Sequence, residues 1–90
     1  MGSGKRLIPT RLGGKLKTIR EGLGLTTEEM VKQLDCPEIP LHRASITQYE
    51  KSRREPPLII LLKYSRLSHH PLENIIDDDL DLISPIPTKQ

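Results

Sequence analysis

Leu12, Leu16, Ile19 and Leu23 recur at spacings of four, three and four, the signature of one apolar stripe on a 3.6-residue period. The spacing predicts an amphipathic helix over about Arg11 to Gly22, with Thr10 as its cap. Gly13 and Gly14 weaken its first turn by roughly 0.5–1 kcal/mol each relative to Ala, and Gly22 and Gly24 mark its end. Composition makes such stripes the main source of a core. The chain is 34% hydrophobic but 2% aromatic, with no Phe and no Trp. Leu and Ile on helices packed side by side must therefore fill the interior. An all-α fold is expected, and ninety residues are enough for one domain with one modest core.

The remaining segments are punctuated by capping and turn residues. Leu25-Thr26-Thr27-Glu28-Glu29 reads as a capping box, Thr26 facing the Glu29 amide, which opens a second helix from Thr27 to Leu34 with Met30, Val31 and Leu34 inward. Asp35 to Leu41, with two prolines and Cys36, is a seven-residue loop. A third helix is expected from about Arg43 to Ser52, its Ile46 and Tyr49 inward and its Arg43, Ala44, Thr47, Gln48 and Lys51 outward. Pro56-Pro57 starts a fourth, Leu58 to about Leu67, with Leu58, Leu61, Leu62 and Ser65 on the core side and Ile59, Ile60 and Tyr64 partly outside it. Pro71 starts a short fifth, to about Asp77, packed through Leu72, Ile75 and Ile76. The organisation expected is a basic N-terminal arm (1–10), a helical domain (11–77) and an acidic, Pro-containing, extended tail (78–90). Met1 to Gly4 carry no functional weight.

Charge follows this division. Net charge is +2, yet residues 1–66 carry 13 Lys or Arg against 7 acids, and residues 67–90 carry 1 against 5. The outer face of the third helix has no acid. Arg and Gln pair two-pronged with guanine and adenine edges, Thr and Ala can touch a thymine methyl, and Lys or Arg just beyond would hold phosphates. Lys5, Arg6 and Arg11 are candidates for a phosphate-touching arm.

Other chemistry is poorly supplied. Cys36, His42, His69 and His70 match no zinc spacing, and His69 and His70 read as capping residues of the fifth helix. Asp77, Asp78, Asp79 and Asp81 lack the sixth-position Gly and closing Glu of a calcium loop; they read as acids that solvate the tail and repel DNA. No nucleophile accompanies a base in a way that suggests catalysis, so the expectation is no enzyme, no cofactor and no metal. A lone Cys36, no signal peptide and no apolar run longer than Leu58 to Leu62 lead to a cytoplasmic protein with no membrane partner.

Leu-Lys-Thr-Ile-Arg, Gly-Leu-Thr-Thr-Glu-Glu-Met-Val, Ser-Ile-Thr-Gln-Tyr-Glu, Arg-Arg-Glu-Pro-Pro and Leu-Leu-Lys-Tyr-Ser-Arg-Leu follow one another in this order. The series resembles the Cro and lambda-repressor type helix-turn-helix family, also called XRE, over about residues 11 to 77. The resemblance implies a compact five-helix, lambda-repressor-like domain with Thr27 to Leu34 as the scaffold helix and Arg43 to Ser52 as the recognition helix. By position it implies that Thr27 meets a phosphate or base, that Arg43, Ala44, Ser45, Thr47 and Gln48 face base edges, and that Lys51, Ser52, Arg53 and Arg54 lie along the DNA backbone. It also implies a structural ion pair between Arg20 and Glu50. Two features depart from the pattern: Thr27 stands where the family usually has Gln, and the loop before the recognition helix is several residues longer.

These lines converge on a sequence-specific DNA-binding transcriptional regulator, a repressor acting as a homodimer on a palindromic operator, with concentration, a protein antagonist or a partner as the source of any regulation. Surplus apolar residues for the dimer contact are Ile59, Ile60, Tyr64, Leu80, Leu82 and Ile83. The alternative is an antitoxin or adaptor that binds protein through Leu80 to Ile86.

Overall fold

A computed structural model describes residues 8–82. Five helices follow in order: α1 (Leu12–Gly22), α2 (Thr27–Leu34), α3 (Arg43–Glu50), α4 (Leu58–Ser68) and α5 (Leu72–Ile76), with no strand among the described residues. The fold is all-α. The expected arm residues Lys5 and Arg6, and the tail from Ile83 on, lie outside the described residues.

In α1, Leu12, Leu16 and Ile19 are buried as the stripe requires, while Leu23 caps the helix and is exposed. Thr10 does not cap it: the N-cap is Arg11, with no side-chain capping bond. Gly24, at φ +73, closes the C-terminus, its N–H donating to the Glu21 carbonyl at 3.0 Å and that of Leu25 to the Arg20 carbonyl at 3.2 Å. Only a residue without Cβ takes this left-handed position at no cost. The capping box of α2 forms on both sides, with Thr26 N–H donating to Glu29 Oε1 at 2.8 Å and Glu29 N–H to Thr26 Oγ1 at 3.1 Å.

Met30 and Leu34 of α2 meet Ile46 and Tyr49 of α3, Ile75 of α5 and the α1 stripe in a single core. The α4 contribution differs from expectation. Ile60, Leu61 and Tyr64 are the buried residues, and Leu58 is 71% exposed. Ile60 and Tyr64, four apart, form the stripe, and Leu61 flanks it. In α5 only Ile75 is fully buried, Leu72 is half-buried, and Ile76 is exposed. His69 is the left-handed C-cap of α4 at φ +62, and His70 is buried beyond it. Neither caps α5, whose N-cap is Pro71. Ser65 Oγ donates to the His70 carbonyl at 2.6 Å, fixing the α4–α5 corner, and burial lowers the pKa of the His70 imidazole.

Among the described residues after α5, Asp77 to Leu82 are fastened to α1. Lys15, only 5% exposed, donates from Nζ to the carbonyls of Asn74 (2.7 Å), Asp77 (2.8 Å) and Leu80 (2.6 Å). A buried ammonium is tolerable only with such satisfaction of its donors. Asp78 accepts from the N–H groups of Thr10 (2.8 Å) and Arg11 (2.9 Å). Asp78 and Asp81, read from sequence as solvating acids, are instead engaged in bonds to the start of α1.

Candidate nucleic-acid interface

The eight residues from Asp35 to His42 connect α2 to α3. Cys36 is buried, and Ile39 and Leu41 pack half-buried against the core. Asp35 takes φ +47, a conformation Asp tolerates, and its carbonyl accepts from Lys63 Nζ at 3.0 Å. The long loop is thus tied at both its apolar residues and its first turn, which leaves α3 packed on α2 and α1. At the start of α3 the His42 N–H donates to Ser45 Oγ at 3.1 Å.

That bond accounts for Ser45, which is 6% exposed. It lies four residues before Tyr49 on the inner side of the helix, so it caps α3 and does not face outward as the family pattern implied. Arg43 and Ala44 are exposed, and Thr47 and Gln48 half-exposed. The Thr47 hydroxyl donates back to the Arg43 carbonyl at 3.3 Å, so its donor is engaged within the helix. Thr27 at the start of α2, with Arg43, Ala44, Thr47, Gln48 and Arg53, lines one open groove. No acid is among these six.

The helix ends at Glu50, two residues before the expected limit, so Lys51 and Ser52 belong to the turn that follows. Ser52 adopts φ +59. Its N–H donates to the Tyr49 carbonyl at 3.1 Å, and those of Arg53 and Arg54 converge on the Gln48 carbonyl at 2.8 and 3.4 Å. Lys51, Ser52, Arg53 and Arg54 are all exposed. The turn therefore sets two guanidinium-bearing residues directly after a helix whose outer face carries Gln48.

Two buried contacts hold this end of α3 in place. Arg20 donates from Nε to Glu50 Oε2 at 2.7 Å, from Nη2 to Glu50 Oε1 at 3.1 Å and from Nη1 to the Leu25 carbonyl at 2.8 Å. The side chains are only 14% and 7% exposed, and the hydrogen bond to Glu50 raises the Arg20 pKa. The expected pair is present and two-pronged. Gly13 of α1 meets the same end: a Cβ there would lie 2.5 Å from the Glu50 carbonyl oxygen and 2.6 Å from Ser52 Oγ. Sequence reasoning saw Gly13 only as a weak point in α1, and the close approach explains its use. Tyr49 and Tyr64 both have phenol pKa values raised by burial, so each stays protonated in the core.

No protein-family model, curated protein or solved structure matches this chain.

Among the other expected roles, the phosphate-arm candidate Arg11 bonds the Asp78 carbonyl and the Asp81 carboxylate of its own chain. Among the described residues no three of His, Cys, Asp and Glu gather as metal ligands. No helix among them is long and apolar enough to cross a membrane.

Proposed function

We propose that this chain is a sequence-specific DNA-binding transcriptional regulator of the Cro and lambda-repressor (XRE) type, a repressor that acts by occupying a two-fold related operator. The carrying observation is the groove shared by Thr27, Arg43, Ala44, Thr47, Gln48 and Arg53, which joins the start of α2 to the outer face of α3 and has no acid. Arg43 and Gln48 supply the donors and acceptors that distinguish base edges in a major groove. Lys51, Arg53 and Arg54 lie past the helix end, where they serve as phosphate contacts. Occupancy alone accounts for repression, and no step of chemistry is required. Double-stranded DNA is the partner.

The proposed dimer contact moves. Ile60 and Tyr64 are in the core, and Leu82 packs partly against it, so they are not surplus. Leu58 and Ile59, 71% and 44% exposed at the start of α4, are the apolar residues that favour self-association. The adaptor alternative finds less support, since the Leu80 carbonyl already accepts from Lys15 and Arg11 within the same chain.

Selection of bound sequences from random duplexes tests the reading, with a palindromic motif as the expected result. On the selected site, Gln48→Ala should cost about 1–3 kcal/mol and relax preference at one position. Arg53→Ala and Arg54→Ala should weaken all duplexes alike, and wherever the arginine truly grips a phosphate its removal should flatten the plot of log affinity against log salt by roughly 0.9. Binding without any motif, or a Gln48→Ala weakening equal on selected and scrambled duplexes, would overturn it.

A further inference from the structure

The contacts between α1 and the segment Asp77 to Leu82 are of two kinds. The anchor is buried: Lys15, 5% exposed, fills a cluster of three carbonyls. The second kind is open to water. Arg11 donates from Nη1 to the Asp78 carbonyl at 2.8 Å and the Leu80 carbonyl at 3.3 Å, and from Nη2 to the Asp81 carboxylate. In that ion pair the Arg11 side chain is 45% exposed and that of Asp81 84%. An exposed pair of this kind is screened by salt and exchangeable.

The position of Arg11 gives this exchange a consequence. It precedes by two residues Gly13, whose close approach to Glu50 and Ser52 sets the first turn of α1 beside the last turn of α3. Arg11, at the start of that turn of α1, meets a carboxylate of its own chain. We infer that the segment Asp77 to Leu82 masks part of the DNA-backbone surface, with Asp81 occupying Arg11 in the place of a phosphate so that tail and duplex compete for one guanidinium. The inference rests on the proposed DNA-binding reading and adds a built-in attenuation of affinity that is independent of base sequence. The buried Lys15 anchor keeps the competing carboxylate local when Arg11 lets go, so the mask returns when the duplex leaves.

The full chain carrying Asp81→Asn, Asp79→Asn, Arg11→Gln or Asp81→Asn with Arg11→Gln tests this by affinity for a selected and a scrambled duplex across a salt series. Asp79 is exposed in the same segment, and Arg11 makes no bond to its side chain, so it controls for removal of one negative charge. Asp81→Asn should tighten binding to both duplexes and steepen the log–log salt slope by about 0.9, as neutralising one further phosphate does. The gain should vanish with Arg11→Gln, and Asp79→Asn should give a smaller gain with no change of slope. Equal gains from Asp81→Asn and Asp79→Asn, or a gain that survives Arg11→Gln, would overturn the masking and leave only general repulsion. The DNA-binding reading would survive that result. Failure of every variant, and of the unaltered chain, to bind any duplex would overturn both.

Discussion

The chain leaves α1 and α3 through the same hydrogen-bond pattern. After α1, the N–H groups of Gly24 and Leu25 return to the carbonyls of Glu21 and Arg20, and after α3 those of Ser52 and Arg53 return to Tyr49 and Gln48. Each turn places one residue in the left-handed region, Gly24 at φ +73 and Ser52 at φ +59. The difference lies in that residue. Glycine adopts the conformation freely, whereas serine carries a steric penalty that the surroundings must outweigh. A Cβ at Gly24 would meet nothing within 4 Å, while Ser52 is wedged against Gly13 of α1. The first turn is a connection. The second is held by tertiary contact, and it is the one that carries the cations proposed to grip DNA.

Arg20 ties the two turns together, since its guanidinium bonds the Leu25 carbonyl beyond one and Glu50 just before the other. Removing either partner leaves a largely buried charge without compensation, at a cost of about 3–5 kcal/mol. Glu50→Ala and Arg20→Ala should therefore lower thermal stability more than a change within either turn, and α3 should loosen at its C-terminal end. Chemical denaturation of the two single variants and the double measures this. Additive losses in the double variant would show that the two side chains act independently, which would sever the link between the turns.

A smaller effect separates the two adjacent glycines in α1. At Gly13 an added methyl would lie 2.5 Å and 2.9 Å from the carbonyl oxygens of Glu50 and Tyr49, backbone atoms that cannot rotate away. Gly13→Ala should destabilise by about 1–3 kcal/mol, as overpacking does. At Gly14 nothing lies within 4 Å. Gly14→Ala should stabilise by about 0.5–1 kcal/mol through helix propensity alone. Equal responses at the two positions would mean that α1 and the end of α3 are not in close contact, and that the strain at Ser52 has some other support.

These contrasts also mark what a sequence discloses. The α2 boundaries and the Thr26–Glu29 box were legible because the bonds that make them span three residues. The inward Ile46 and Tyr49 followed from periodicity. The same periodicity places Ser45, four residues before Tyr49, on the inner side, whereas position within the family pattern put it outward. The α4 face was illegible for a physical reason. Leu58-Ile59-Ile60-Leu61-Leu62 is apolar all round, and no polar residue within it says which side meets the core. Equally hidden was the bond from Thr10 to Asp78, 68 residues apart, because nothing local pairs an acid in a tail with a helix start. The end of α3 was overrun by two residues because no glycine marks the left-handed position there.

That missing glycine gives the smallest and sharpest comparison. Gly24→Ala introduces a Cβ into open space, so its cost is conformational alone, about 1–2 kcal/mol for a left-handed residue. Ser52→Gly removes the same kind of penalty and should stabilise by up to about 1 kcal/mol, less whatever packing the Ser52 hydroxyl group provides against α1. Melting curves of the two variants under one buffer condition should move in opposite directions. Binding supplies the second measurement. A glycine at position 52 frees the backbone that now aims Arg53 and Arg54, so under the proposed function affinity should fall on selected and scrambled duplexes alike even as the fold becomes more stable. Stability and affinity would then change with opposite sign at one residue, the pattern expected where strain serves a site. A Ser52→Gly variant that is less stable than the parent would show that the hydroxyl packing against α1 outweighs the backbone strain. One that binds as tightly as the parent would show that the direction of the basic turn is set elsewhere, by the Arg20–Glu50 pair rather than by the turn itself.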